Sequence, residues 1–224
     1  GLTTGERNAR DRSGQSRHNF FAANVRNYWE IFHHRSFLSA EAVEQNGRRL
    51  LNLPNVWKAW LDYTCIGESL GLADPRSPKD TWMDLKTYSA NLDEQGFPFF
   101  RGLIWYALDV EVPEFTLKED EAAFLWFGGN DSNTRVFLDG HFAGEFRTSN
   151  FNPAEIDVTP YLRPGARQHL VVSVDNRPVY ELGTGGIMRP AVFYIRPLRP
   201  DESPAPVPAP DDIGPEDRPL FGPE

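Results

Sequence analysis

The dipeptide Asp139-Gly140 lies between two short apolar segments, Arg135-Leu138 and His141-Phe146. Both of its positions tolerate positive φ, so it forms the favoured two-residue turn of a β-hairpin. Segments of the same kind recur from Leu50 onward. Leu50-Leu53 and Val56-Leu61 are broken by Pro54-Asn55, and Leu103-Val112 is ended by Pro113. Ala122-Phe127 is apolar at successive positions, which predicts a strand buried on both faces. His169-Asp175 alternates, with Leu170, Val172 and Val174 on one side, and Ile187-Arg196 closes the set. Many short strands separated by turn signals, with no βαβ alternation, imply an all-β sandwich or barrel.

The regions outside this set read differently. Residues 1–17 carry four Arg against two acids and no periodicity, which predicts a flexible polar arm. Residues 18–49 read as a helical segment, because Phe21, Val25, Tyr28, Trp29 and Phe32 share one helical face. A second helix is expected after Ser39, with Gly47 weakening its end. Residues 197–224 hold nine of the nineteen prolines, with seven acidic residues and two Arg. They read as a Pro-rich acidic tail biased to polyproline II. The sandwich is therefore assigned to residues 50–196.

Net charge excludes one class of partner. The formal charge is −9 over 224 residues, and a nucleic-acid binder needs a basic face. No apolar run is long enough to span a bilayer. The opening stretch does not read as a signal peptide, and the chain reads as a mature form or an excised fragment. The lone cysteine, Cys65, permits no intrachain disulfide and reads as a small core residue. His33-His34 point in different directions on a helix and make no ligand pair. His18, His141 and His169 are scattered, and no nucleophile or phosphate-loop motif is present.

Five segments in order carry a family resemblance. They are Trp105-Val112 with Pro113, Phe124-Asp131, Arg135-Gly140 with Gly144, Ile156-Gly165, and Val174-Asn176 followed by Gly183-Arg189. Upstream, Leu53, Trp57-Lys58, Asp62 and Trp82-Leu85 echo the opening of the same pattern. Together they resemble the N-terminal sugar-binding domain of glycoside hydrolase family 2 enzymes. The sequence departs from the pattern at Ala107, Phe137, Asp139 and Met188. The resemblance implies a jelly-roll sandwich of the galactose-binding type, extending over roughly residues 50–196. It also favours an extracellular or periplasmic place.

Catalysis is not expected of this chain alone. Glycoside hydrolysis uses two carboxyl groups flanking one bond, and no acid here sits in a distinctive pairing. A catalytic barrel alone takes roughly 250 residues. Sugar binding needs less: an aromatic face and planar polar side chains. Two loops supply such groups, 128–133 and 175–181, with a glycine loop after the second. The resemblance places a sugar contact at Asp131, with Asn133, Asn176, Tyr180 and Glu181 as companions. Asn130-Asp131-Ser132 is also formally a glycosylation sequon. No cofactor is expected. Sandwiches of this type often carry Ca²⁺ on oxygen ligands, yet no loop is dense enough in acids to assign one. The leading reading is a non-catalytic carbohydrate-binding or accessory domain, its partners a carbohydrate and a catalytic domain on the same parent chain. The alternative is a structural subunit whose basic and acidic arms contact neighbouring copies in a homo-oligomer.

Overall fold

A computed structural model describes residues 43–90, 92–98, 100–130, 133–147, 153–177, 185–203 and 205. Ten strands follow in chain order: β1 (Arg48–Asn52), β2 (Val56–Asp62), β3 (Met83–Lys86), β4 (Leu103–Glu111), β5 (Glu121–Phe127), β6 (Asn133–Leu138), β7 (His141–Arg147), β8 (Ala154–Asp157), β9 (Arg167–Asp175) and β10 (Ala191–Pro197). They form two antiparallel sheets. One has four strands in the order β1-β10-β5-β8, the other six in the order β3-β2-β4-β9-β6-β7. This is the expected β-sandwich.

Alternation explains which side chains meet between the sheets. Trp57, Ala59, Ile104, Tyr106, Leu170, Val172, Val174, Val136 and Leu138 point inward from the six-stranded sheet. Ala123, Leu125, Phe127, Phe193 and Ile195 meet them from the other. Burying a side chain such as Phe127 or Phe193 contributes about 2–3 kcal/mol. β5 lies between β10 and β8, and its Phe124 and Trp126 are buried on the outer face as well. That matches the continuous apolar run. Trp126 is a packing residue here.

The Asp139-Gly140 hairpin joins β6 and β7, with both residues at positive φ. The Asp139 carboxylate accepts from Arg163 Nη2 at 2.6 Å, Gln168 Nε2 at 2.8 Å and the His169 amide at 2.8 Å. The turn is thus tied to the loop before β9 and to the start of β9.

Several details differ from the sequence reading. Two strands, β3 and β8, carry only four residues each and give too short a pattern to read. The last strand begins at Ala191 rather than Ile187, because Ile187 makes only an isolated bridge to Asn130. A short helical turn over 43–46 ends at Gly47, and β1 starts at Arg48. A side chain at Gly47 would collide with the Ile195 carbonyl, so the glycine permits the strand to approach. Cys65 is not in the core. It is half-buried and in the left-handed region, φ 58°, in a loop after β2. The amphipathic stretch 21–32, the arm 1–17 and the tail beyond 205 lie outside the described residues. Among the described residues no helix is long and apolar enough to cross a membrane.

Residues 198–203 follow β10 along the four-stranded sheet. Arg196 is buried there beside the Phe124 ring, with Nη2 2.6 Å from Glu155 and Nη1 2.6 Å from Glu202. Hydrogen bonds from Arg196 hold the Glu202 carboxyl down to about 2.

Candidate functional site

The start of the first loop, residues 128–130, packs against the segment just before β10 at one end of the sandwich. Met188 N–H donates to the Gly129 carbonyl at 3.1 Å, and Gly128 N–H to the Pro190 carbonyl at 2.9 Å. Arg189 Nη1 reaches the Gly128 carbonyl at 3.1 Å from a buried position. With the Asn130–Ile187 bridge, these bonds join segment 128–130 to segment 187–190 as a short ladder. The glycosylation reading of Asn130 does not hold in this fold. Its side chain is fully buried and donates to Thr134 Oγ1 at 3.2 Å, out of reach of a modifying enzyme.

Asn176 ties in a third segment. It is only 1% exposed. Its amide N–H donates to Gly102 and its Nδ2 to the Phe100 carbonyl, both at 2.8 Å. Its Oδ1 accepts from Gly186 N–H at 3.2 Å. Both ends of the side chain therefore hold backbone in place. Gly186, at φ +72°, crosses so closely over the Tyr106 hydroxyl that a Cβ there would collide with it. That hydroxyl is buried and hydrogen-bonded to the Ile187 backbone, and burial pushes its pKa well above the ordinary tyrosine value.

Strand register places a polar row on the outward face beside these loops. Asp62 pairs with Leu103, and Leu103 with Asp175. Thr134 pairs with Val174, which sets Asn133 next to Asp175, and Asn133 in turn faces Arg147. Asn133 hydrogen-bonds the Asp175 carboxylate. Arg177 holds the same carboxylate bidentately, Nε at 2.8 Å and Nη2 at 2.7 Å. That hydrogen bonding keeps the Asp175 pKa below its usual range and raises that of Arg177. Both groups are charged at neutral pH, and the Arg177 side chain keeps 58% of its surface exposed.

Asp62 is a polar group the sequence reading did not assign to the site. Its carboxylate is buried and accepts from Gly67 N–H at 2.7 Å, Ile66 N–H at 3.2 Å, Thr64 Oγ1 at 3.2 Å and Trp105 Nε1 at 3.3 Å. It shapes the loop after β2. An Asp at a strand end, with Thr two residues later and Gly five later, was the available signal, since such carboxylates commonly cap the following turn. Of the five residues named from the sequence, Asn133 and Asn176 are brought to this end. Asp131, Tyr180 and Glu181 lie outside the described residues. Among the described residues no three His, Cys, Asp or Glu side chains are grouped to hold a metal ion.

The departures from the family pattern have local explanations. Ala107 is buried in an apolar cluster with Leu72, Trp82 and Trp105. Phe137 stacks on Trp105, rings 6.1 Å apart at 26°. Asp139 takes the left-handed turn position, and Met188 is buried, its N–H bonded to Gly129.

Comparison with known proteins settles the family. The model described as "Glycosyl hydrolases family 2, sugar binding domain" matches residues 54–182. The chain belongs to this family. Its fold is shared with solved β-glucuronidases. A β-glucuronidase from an uncultured Clostridium species superposes with TM-score 0.54 and 23% identity, over 67% of this chain and 29% of that one. The enzyme from Ruminococcus gnavus gives 0.52 and 18%, over 67% and 29%. That from Faecalibacterium prausnitzii gives 0.51 and 20%, over 67% and 32%. The superposed part is thus about a third of those chains. No curated protein matched the sequence.

Proposed function

We propose that this sugar-binding domain is a non-catalytic carbohydrate-recognition module associated with a glycoside hydrolase, and that it holds its ligand through the loops 128–133 and 175–181. The observation that supports the reading is that the family match, residues 54–182, includes the loops 128–133 and 175–181. Asn133 and Arg177 supply planar amide and guanidinium groups suited to pairs of sugar hydroxyls. Asp131, Tyr180 and Glu181 are the proposed further contacts. Asn176 contributes by fixing the backbone around them.

Isothermal titration of the full chain against a panel of oligosaccharides tests the proposal. The expected outcome is saturable binding with Kd in the millimolar range or tighter, about −4 kcal/mol or better. Asn133→Ala and Asp131→Asn should each weaken it. Absence of binding at millimolar sugar overturns the reading. Sedimentation of the same samples separates it from the assembly alternative, which requires a stable oligomer.

A further inference from the structure

Sugar recognition needs an aromatic ring that is open to solvent, and most aromatic residues of the sandwich are packed away. Trp57, Trp82, Trp105, Tyr106, Trp126 and Phe127 are all buried. Tyr63 is different. It is 65% exposed, directly after β2. Four of the seven exposed large apolar residues among those described fall within residues 60–70: Trp60, Tyr63, Ile66 and Leu70.

The ring is also held. Asp62, the residue before it, fixes the loop through its four accepted hydrogen bonds. Phe100 meets the Tyr63 ring edge-on, centroids 4.9 Å apart at 75°. Phe100 in turn gives its carbonyl to Asn176, and the Arg177 carbonyl accepts from Arg101 Nη1 at 3.1 Å. Tyr63 is thereby coupled to the segment that carries Arg177. A preorganised tyrosine contributes contact area while losing little rotamer freedom on binding.

We propose that Tyr63 is the stacking platform of an extended oligosaccharide site, which runs across the end of the six-stranded sheet from Tyr63, past Arg177, to Asn133. The proposal rests on the carbohydrate reading above and adds the size class of the ligand. Asp62 and Asn133 are separated by three inter-strand spacings, through β4 and β9. At ~4.8 Å each, that is roughly 14 Å. One pyranose ring cannot span it, whereas a short linear oligosaccharide can. The ring takes the sugar's C–H face and Arg177 and Asn133 take hydroxyls.

The test titrates the full-length wild type, Tyr63→Ala, Tyr63→Phe and Asn133→Ala with cellotriose, xylotriose and mannotriose, and with the matching monosaccharides. Thermal melts confirm that each variant is folded. The expected result is a trisaccharide bound more tightly than its monosaccharide. Tyr63→Ala should weaken that trisaccharide about tenfold and the monosaccharide by less than about twofold, while Tyr63→Phe behaves as wild type. If Asn133→Ala weakens binding and Tyr63→Ala does not, the platform is wrong and the carbohydrate reading stands. A trisaccharide bound no better than its monosaccharide overturns the extended site. If the wild type binds none of the six sugars, the carbohydrate reading fails and the platform with it.

Discussion

The two ends of the sandwich are built from similar residues and do different things with them. At the hairpin end, the Asp139 carboxylate accepts three hydrogen bonds from Arg163, Gln168 and His169. At the loop end, Asp62 and Asn176 are saturated in the same way. What distinguishes the loop end is the set of groups beside those anchors. Tyr63 and Arg177 remain largely exposed on backbone that Asp62 and Asn176 hold still. A turn whose polar atoms all face inward is a structural joint. A turn whose anchors face inward and whose neighbours face outward can be a binding surface.

Substitutions can break this comparison. The largest effect is expected for Asp62→Ala, which strands the N–H groups of Gly67, Ile66 and Trp105 next to the core. A loss of about 4 kcal/mol in urea unfolding is expected, together with weakened sugar affinity. A loss under about 1 kcal/mol would show that the loop is held by its apolar contacts instead. Gly186→Ala should cost about 3 kcal/mol, because it combines positive φ with a collision against the Tyr106 hydroxyl. It too should lower affinity, since the glycine loop must move.

The hairpin end supplies the contrast. Asp139→Ala removes three hydrogen bonds and leaves alanine in a left-handed position, so about 2 kcal/mol is expected. Sugar affinity should not change. An affinity change here as large as at Asp62 would erase the distinction between the two ends.

The smallest effect concerns the four-stranded sheet, away from both ends. Hydrogen bonds from Arg196 lower the Glu202 pKa from its ordinary 4.5 to about 2. A depressed carboxyl contributes stability above its unfolded pKa and loses it as pH falls toward the folded one. Glu202→Gln should therefore be less stable than wild type by about 1 kcal/mol or less at pH 6. The difference should shrink between about pH 4.5 and pH 2. Melting both proteins across that range checks the sign. A difference that grows on acidification would mean that Glu202 does not pair with Arg196.

The sequence by itself determined the architecture. Alternation in β9, the proline-bounded apolar segments of β2 and β4, the continuous apolar run of β5 and the Asp139-Gly140 turn are local signals. Local signals suffice for strands because side-chain direction repeats every two residues. The loops 128–133 and 175–181 were legible as turn chemistry with polar groups. The joining of segment 128–130 to segment 187–190 was not, since the bonds from Met188 to Gly129 and from Gly128 to Pro190 connect residues about sixty positions apart. Tertiary structure alone decided which polar residues are anchors. Asn176 and Asp62 look in sequence like any Asn or Asp at a strand end, and become buried acceptors only because Gly186 and Gly67 are brought against them. It also decided which aromatic faces water. Trp126 and Tyr63 are both large rings near strand ends. One is covered because its strand is central to a sheet, and the other is left open because its loop turns back at Asp62. Exposure is a property of what packs over a residue, and that depends on chain segments the local sequence does not contain.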